Sequence, residues 1–222
     1  VLCTATQPAL DELFVQYGLS VHEIVKEKNR LFQELRRVTY KSIGKQSDDE
    51  LVGELSENDQ VLCIVNSRMQ ARNIAESLLG RLDDGSVFHL STLMYPAHRE
   101  HVLELVRERL AAGLPCRVVS TSLIEAGVDL DFPVVYRSIA GLDSIIQAAG
   151  RCNREGKRDL NRSIVFIFDS CDNPESGRPY GIPSDIRQRA GITTNVIAEL
   201  DASGRTEDYG SLSAIRCYFE NL

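Results

Sequence analysis

Short apolar runs alternate with amphipathic stretches along most of this chain, and that alternation limits the possible folds more than any other feature. Five of the runs are short and rich in branched apolar side chains, which favours buried strands: residues 61–65, 87–90, 117–120, 133–137 and 164–168. The stretches between them, such as residues 69–79, place apolar side chains at helical spacing. Strands that alternate with helices predict an α/β domain with a mainly parallel central sheet.

Two helices carry sharper local signals. Ser47 and Glu50 form a capping-box pattern that predicts a helix to about residue 55. A second helix is predicted for residues 96–112. Its predicted apolar stripe consists of Val102, Leu105, Val106 and Leu110.

Composition excludes several classes of protein. No apolar run among the 222 residues approaches the roughly 20 that a membrane helix needs, so no membrane contact is expected. The six cysteines include no C-x-x-C pair, which leaves zinc spacing absent and favours free thiols in a reducing cytosol. The formal net charge of -7 counts against wrapping of duplex DNA by a broad basic surface, but it is compatible with a narrow nucleic-acid channel.

The strongest chemical signal is the run Gln-Ala-Ala-Gly-Arg-Cys-Asn-Arg at residues 147–154. Arg151 and Arg154 follow Gly150, a residue that lets the backbone turn tightly. On a surface turn, both guanidiniums would project in one direction and bind phosphate oxygens bidentately. Such a fork stabilises charge that spreads over a transferred phosphoryl group. The alternative is an exposed basic helix end with surface ion pairs.

Hydroxyl residues and an acid follow the strand predicted for residues 117–120. Ser120 and Thr121 stand at its carboxyl end, where ligands gather in open α/β sheets, and can donate to a nucleic-acid phosphate. Gly127 permits a close approach of the backbone, and Asp129 can accept from a ribose hydroxyl. The alternative is local, because Ser and Thr cap helices and Gly-x-Asp patterns form turns.

Two further polar clusters follow predicted strands. Ser67 and Arg68 follow the strand at residues 61–65, where a helix N-terminus would offer N–H groups to a phosphate. An ordinary capped strand–helix junction is the alternative. Thr4 and Thr6 carry no signal by themselves.

In their order and spacing, the four polar stretches resemble motifs III, IV, V and VI of superfamily 2 helicases. These enzymes use RecA-like lobes, which are three-layer domains of the phosphate-loop NTPase type. Residues 147–154 have the Q-x-x-G-R-x-x-R form of motif VI. The resemblance extends to one family within this superfamily. Residues 5–10 and 120–157 resemble the CRISPR-associated helicase-nuclease of type I interference systems.

This resemblance implies an enzyme that uses ATP and Mg²⁺ to move 3′ to 5′ along single-stranded DNA. Such an enzyme is recruited by an RNA-guided surveillance complex of the Cascade type, and it degrades the displaced strand with a separate metal-dependent nuclease domain. The resemblance also implies a cytoplasmic prokaryotic protein, and we expect a monomer.

The resemblance implies roles residue by residue. Three residues would act on the γ-phosphate: Arg151 and Arg154 as arginine fingers, and Gln147. Three would line the nucleotide: Gly127, Asp129 and Gly150. Five would contact nucleic acid: Ser67, Arg68, Ser120, Thr121 and, as a weaker candidate, Arg99. Two would couple the lobes: Thr4 and Thr6.

The sequence departs from the family in an informative way. It contains no G-x-x-x-x-G-K-[ST] phosphate loop, and residues 44–47 lack the leading glycine and place Gln where Ser or Thr would hold Mg²⁺. No His-Asp pair for the nuclease occurs. His98 and His101 are interpreted as one exposed helix face rather than a metal site. We therefore expect the phosphate loop and the Mg²⁺ ligands on a first lobe, and no ATP hydrolysis by this chain alone.

Three regions are predicted. Residues 1–20 would end the first lobe and form a linker, residues 21–169 would form the second lobe, and residues 170–222 would form a linker and a C-terminal helical extension. Rival interpretations are a non-enzymatic α/β nucleic-acid-binding or docking module and a lobe of an RNA helicase. A Rossmann-type cofactor binder is disfavoured because the sequence has no G-x-G-x-x-G.

Overall fold

The computed structural model describes residues 16–18, 25–82, 85–125, 127–174, 176–206 and 209–222. Within them, six strands form one sheet in the order β1-β6-β5-β2-β4-β3, and every neighbouring pair is parallel. The strands are β1 Thr39–Gln46, β2 Gln60–Ile64, β3 Val87–Leu90, β4 Cys116–Ser120, β5 Val134–Ser138 and β6 Ile164–Ser170. The predicted parallel α/β sheet is confirmed.

Seven α-helices accompany the sheet in the described residues. They are α1 Lys28–Glu34, α2 Asp48–Glu57, α3 Arg68–Arg81, α4 Pro96–Ala111, α5 Leu142–Ala149, α6 Ser184–Ala202 and α7 Leu212–Glu220. In the same part of the chain, no helix combines the length and the apolar character needed to cross a membrane.

Helices cover both faces of the sheet, because alternate residues of each buried strand point to opposite sides. In β2, Leu62 and Ile64 join the core cluster that contains residues of α4 and α5. Val61 and Cys63 join the opposite cluster, which contains residues of α2 and α3. The result is the predicted three-layer arrangement.

The two local helix signals had different outcomes. The capping box of α2 is confirmed, since the Ser47 hydroxyl accepts from the Glu50 N–H at 3.2 Å and the Ser47 N–H donates to Glu50 Oε2 at 2.8 Å. The predicted stripe of α4 is partly wrong. Leu103 and Val106 are the fully buried residues, while Leu105 is 37% exposed.

The last two helices pack against α5 and the carboxyl end of β6. Val196 of α6 and Tyr218 of α7 share a buried cluster with Ile145 and Ile167. The Tyr218 hydroxyl donates to Asp143 Oδ1 at 3.0 Å. The C-terminal helices therefore hold the helix that leads into residues 147–154.

Candidate functional site

The predicted site residues gather at the carboxyl ends of β2, β4 and β5. Ile64 is the register partner of Ser120, and the Val65 N–H donates to the Ser120 carbonyl at 3.0 Å. The polar residues that follow β2 and β4 therefore lie side by side. In open α/β sheets, ligands gather at the carboxyl ends of the strands.

The orientation of the Arg151 side chain differs from the prediction. It is only 7% exposed, and its guanidinium donates to the carbonyl of Ile124 at 3.0 Å and to that of Glu125 at 2.7 Å. Burial lowers the pKa of Arg151, and the nearby charge of Arg154 adds to the effect. The prediction that both guanidiniums face outward is therefore wrong for Arg151 in this conformation.

The backbone explains this orientation. Gly150 ends α5 with ordinary helical angles, φ -64° and ψ -3°, so it makes no left-handed turn. The left-handed residue is Asn153, with φ 46°. The N–H groups of Arg151 and Cys152 continue the helical bonding, to Ala148 and Ala149, and this keeps Arg151 beneath the 124–125 segment. A Cβ at position 150 would lie 3.2 Å from the Gln147 carbonyl oxygen, a close contact that a small shift could relieve.

Arg154 faces solvent, as predicted. Its side chain is 42% exposed, and its Nε forms an ion pair with Asp129, whose side chain is 78% exposed. Its N–H donates to Asp131 Oδ1 at 2.6 Å. Both arginines thus contact the segment that follows β4, one from beneath and one from the surface.

The residues predicted to line a nucleotide are accessible. Gly127 is exposed and has φ 71°, a left-handed conformation that side chains rarely adopt. Asp129 and Gly150 are also exposed, and Gln147 is half-buried on the last turn of α5. This part of the surface can receive a ligand without unfolding.

The hydroxyl residues at the edge separate into two kinds. Ser120 is fully buried and donates to the Thr121 carbonyl at 2.9 Å, so it stabilises the strand end and offers no surface contact. Thr121 is buried but, within the described residues, its hydroxyl has no hydrogen-bond partner. Ser67 is also buried and makes no side-chain capping bond to α3. Arg68, next to it, is exposed.

Arg99 and the two coupling threonines fall at the margins of the site. Arg99 is half-buried in the first turn of α4, where its N–H donates to the Tyr95 carbonyl at 2.9 Å. Thr4 and Thr6 lie outside the described residues. Among the residues the structure describes, there is no group of three or more His, Cys, Asp or Glu side chains placed to hold a metal ion.

Sequence reasoning missed an ion pair beneath the site. Arg137 Nε lies 2.8 Å from Glu125 Oε1, and both side chains are almost fully buried. Arg137 also donates to Asn66 Oδ1 and to the Ser138 carbonyl, each at 2.8 Å. Burial raises the pKa of Glu125, while the charge of Arg137 opposes the rise. An arginine inside the apolar strand at residues 133–137 was the available signal, since a buried charge requires a partner.

This pair links the carboxyl ends of three strands. Glu125 follows β4, Asn66 follows β2, and Arg137 lies in β5 itself. Asn66 Nδ2 in turn donates to the Ile139 carbonyl at 2.7 Å. The loops that carry the predicted phosphate and nucleic-acid contacts therefore share one buried polar network.

A cavity of about 1200 Å³ opens beside Arg154 and Gly150. Among the described residues, four arginines and no carboxylates contribute to its lining: Arg36, Arg37, Arg154 and Arg205. In a chain with a net charge of -7, this is a local concentration of positive charge. It favours anions on the Arg154 side of the site.

The six-stranded parallel sheet with helices on both faces is a RecA-like α/β fold, and comparison with known proteins shows what the chain is similar to. Residues 57–157 match the family described as CRISPR-associated nuclease/helicase Cas3, C-terminal. The matched residues hold β2 to β5 and both arginines.

Two curated proteins named CRISPR-associated nuclease/helicase Cas3 are similar. That of Haloferax volcanii is 38% identical over 147 residues, which cover 60% of this chain and 16% of the relative. That of Methanothermobacter thermautotrophicus is 30% identical over 132 residues, which cover 58% of this chain and 16% of the relative. The chain thus spans about a sixth of the length of these relatives.

Solved structures agree on the fold. The crystal structure of T. fusca Cas3-ATP has a TM-score of 0.58 at 14% identity, over 81% of this chain and 24% of that one. A chain of a CRISPR RNA-guided surveillance complex, pre-nicking, has a TM-score of 0.50 at 14% identity, over 81% of this chain and 28% of that one. At such identities the likeness concerns the fold alone.

Proposed function

We propose that this chain is the second lobe of an ATP-driven single-stranded DNA translocase, and that Arg154 acts as its arginine finger. The observation that carries the proposal is the exposed ion pair of Arg154 with Asp129, at the edge where residues of β2 and β4 lie side by side. Arg154 belongs to a motif VI sequence, and Asp129 to a motif V sequence. A phosphate there would meet an accessible guanidinium on a defined loop.

The energetics favour Arg154 over Arg151 as the group that reaches the nucleotide. An exposed ion pair contributes only about 0–1 kcal/mol, so a phosphate can replace Asp129 at small cost. Arg151 would have to leave two buried carbonyl groups without a donor, which costs about 1–3 kcal/mol for each. We assign Arg151 the task of holding the segment after β4 in place, a change from the finger role that the resemblance implies.

ATP fits the residues present. Gly127 lets the backbone approach a ligand closely, and Asp129 can accept from a ribose hydroxyl once Arg154 has turned to a phosphate. Gln147 stands on the preceding turn of α5, within the same motif. Bound ATP supplies the transferable phosphoryl group, and a first lobe would supply the phosphate loop and the Mg²⁺ ligands.

The same edge provides contacts for a nucleic-acid backbone. Arg68 is exposed, and it lies beside Ser67, which makes no capping bond. The Thr121 hydroxyl lacks a partner among the described residues, and because it is buried a phosphate could reach it only after this segment shifts. Hydroxyl and arginine contacts to phosphates position a strand without reading its sequence. Translocation along any sequence requires contacts of this kind.

The names of similar proteins suggest the cellular setting. The curated relatives are called nuclease/helicases, and one structural neighbour belongs to an RNA-guided surveillance complex. We propose that the whole protein works with such a complex in antiviral defence in the prokaryotic cytoplasm. Its nuclease activity would reside outside this chain.

The test is ATP hydrolysis by the full-length protein, stimulated by single-stranded DNA and, in parallel, by RNA. We expect Arg154→Ala to lower kcat by about 10³-fold or more, and Arg154→Lys to recover little because lysine lacks the planar fork. Arg72→Ala is the matched control, since it removes an exposed arginine paired with Glu76 on α3. Its turnover should stay normal.

Arg151→Ala should also lower ATP hydrolysis, but through loss of stability, with a measurable drop in the free energy of unfolding. Near-normal turnover in Arg154→Ala would reject the proposal. Stimulation by RNA alone would favour the RNA-helicase interpretation.

A further inference from the structure

We propose that Leu93 and Tyr95 form a base-stacking platform that holds the strand of single-stranded nucleic acid lying on the carboxyl edge of the sheet. This inference rests on the proposed function, which places the phosphate backbone at that edge. It adds contacts to the bases.

Exposure is the first observation. Tyr95 is 81% exposed and Leu93 is 76% exposed, the two highest values among the large apolar side chains of the described residues. Met94, between them, packs against the core. The loop therefore anchors itself with its middle residue and presents the two flanking side chains to solvent.

The loop is held firmly in this arrangement. The Met94 N–H donates to the Ser91 carbonyl at 3.1 Å, and the Leu93 N–H donates to the Ser91 hydroxyl at 3.3 Å. The Tyr95 carbonyl accepts from the Arg99 N–H at 2.9 Å, and Pro96 occupies the first turn of α4. An aromatic ring on a fixed backbone loses little conformational entropy when it binds a ligand.

Tyr95 also occupies a position where tyrosine does nothing for the fold. It is the N-cap residue of α4, where Ser, Thr, Asp or Asn would stabilise the helix, and its side chain makes no capping bond. The ring neither caps the helix nor enters the core. A residue that breaks a local rule without a structural gain is a candidate for a functional role.

The loop lies beside the residues proposed to bind the backbone. Leu90, at the end of β3, is the register partner of Ser120, so the loop begins next to Thr121. Adjacent strands are about 4.8 Å apart, and successive bases of a nucleic acid reach several ångströms from their phosphates. A strand that runs along this edge of the sheet can therefore place bases over Tyr95.

Charge and size point to a nucleic-acid strand rather than a protein partner. Residues 85–99 contain no Asp or Glu, although the chain has 32 of them. A polyanion therefore meets no repulsion from this segment of the chain. A patch of two apolar side chains falls far below the roughly 800 Å² per partner of a stable protein interface. Base stacking on an aromatic ring, in contrast, needs only one or two side chains.

The experiment compares two fluorescently labelled single strands of equal length with the full-length protein. One is oligodeoxythymidylate, and the other has the same phosphates but only abasic residues. We expect wild type to prefer the strand with bases. Tyr95→Ala should bind that strand about 5- to 100-fold more weakly, while its binding to the abasic strand should not change.

Three matched variants sharpen the result. Tyr95→Phe keeps the ring and should bind like wild type. Leu114→Ala removes an exposed leucine just before β4, at the amino ends of the strands, and should have no effect on binding. Arg68→Ala should make the negative slope of log affinity against log salt concentration less steep by about 0.7, whereas Tyr95→Ala should leave the slope unchanged.

The outcomes separate the two proposals. Equal binding of oligodeoxythymidylate by Tyr95→Ala and wild type would overturn the stacking platform and leave the proposed function intact. An equal loss of affinity for both oligonucleotides in Tyr95→Ala would also overturn the stacking platform, because the effect would not involve bases. Failure of wild type to bind either strand would contradict the proposed function itself.

Discussion

Glu125 and Arg137 form an ion pair that is almost closed to water, and its energetics differ from those of the surface pairs. The desolvation of both charges is offset by their 2.8 Å contact and by the hydrogen bonds of Arg137 to Asn66 and Ser138. Removal of one partner leaves an uncompensated charge in the interior. The pair is therefore a weak point for any substitution, even though neither residue is assigned a contact with a ligand.

We expect Arg137→Met to lower the free energy of unfolding by about 3–5 kcal/mol, measured by urea denaturation at neutral pH. Glu125→Gln in the same background should restore part of the loss, because it removes the isolated charge. Arg72→Met, in an exposed pair, should cost less than about 1 kcal/mol. Equal effects of the two arginine substitutions would show that the buried pair has no special role.

The loss in Arg137→Met should depend on pH. Burial already raises the pKa of Glu125, and removal of the opposing arginine raises it further. A carboxyl with a higher pKa in the folded protein binds its proton more tightly there, so the folded state is favoured at low pH. Stability then falls as the pH rises from the ordinary pKa of glutamate through the raised pKa of the folded protein, and the deficit should be larger near about pH 7 than near about pH 5.

At this scale, residue type and spacing could be predicted, but orientation could not. The sequence predicts Arg151 and Arg154 as a pair, and both contact residues 124–129. Their division into a buried and an exposed arginine depends on Gly150 remaining helical and Asn153 taking the left-handed conformation. That choice follows from tertiary contacts, such as the Asn153 amide donating to the Arg37 carbonyl at 2.9 Å.

At the scale of secondary-structure elements, α5 is the helix on which the site depends. Its N-terminal residues Leu142 and Ile145 are buried against α6 and α7. Tyr218 of α7 is fully buried, and its hydroxyl donates to Asp143 in the first turn of α5. The C-terminal helices thus set the position from which residues 147–154 emerge.

Tyr218→Phe should lower the free energy of unfolding by about 1–2 kcal/mol, because it removes a buried hydrogen bond to a carboxylate and leaves the ring packing in place. Urea denaturation measures the change. Tyr95→Phe is a suitable control, since its hydroxyl lies on an exposed ring. A value for Tyr218→Phe no larger than the control would show that the bond does not hold α5.

Helices α4 and α6 show where the spacing of apolar residues fails to predict a buried face or a helix start. The predicted stripe of α4 included Leu105, but α4 turns Leu103 and Val106 toward the sheet. Leucines lie on more than one face of this helix, so the sequence alone does not show which face packs against the sheet. Helix α6, in the region predicted as a C-terminal helical extension, begins at Ser184, and its polar first turns carry no apolar signal in the sequence.

At the scale of the whole molecule, the order of strands explains how distant motifs meet. β2 lies between β4 and β5, so the loops after these three strands begin at the same edge of the sheet. In the sequence, these loops are separated by up to about 70 residues. A parallel sheet with one edge for binding could be predicted from the alternation of apolar runs. The partners of the buried Arg137 could not, because Glu125 and Asn66 lie in loops that follow two other strands.

We propose above all that Arg154 exchanges Asp129 for a phosphate when the lobes meet across ATP. The most direct measurement is a structure of the full-length protein with a non-hydrolysable ATP analogue and single-stranded DNA. We predict that the Arg154 guanidinium lies within hydrogen-bond distance of the γ-phosphate, separated from Asp129, with Arg151 still bound to the carbonyls of residues 124 and 125. An Arg154 that remains paired with Asp129 and points away from the bound nucleotide would contradict the account.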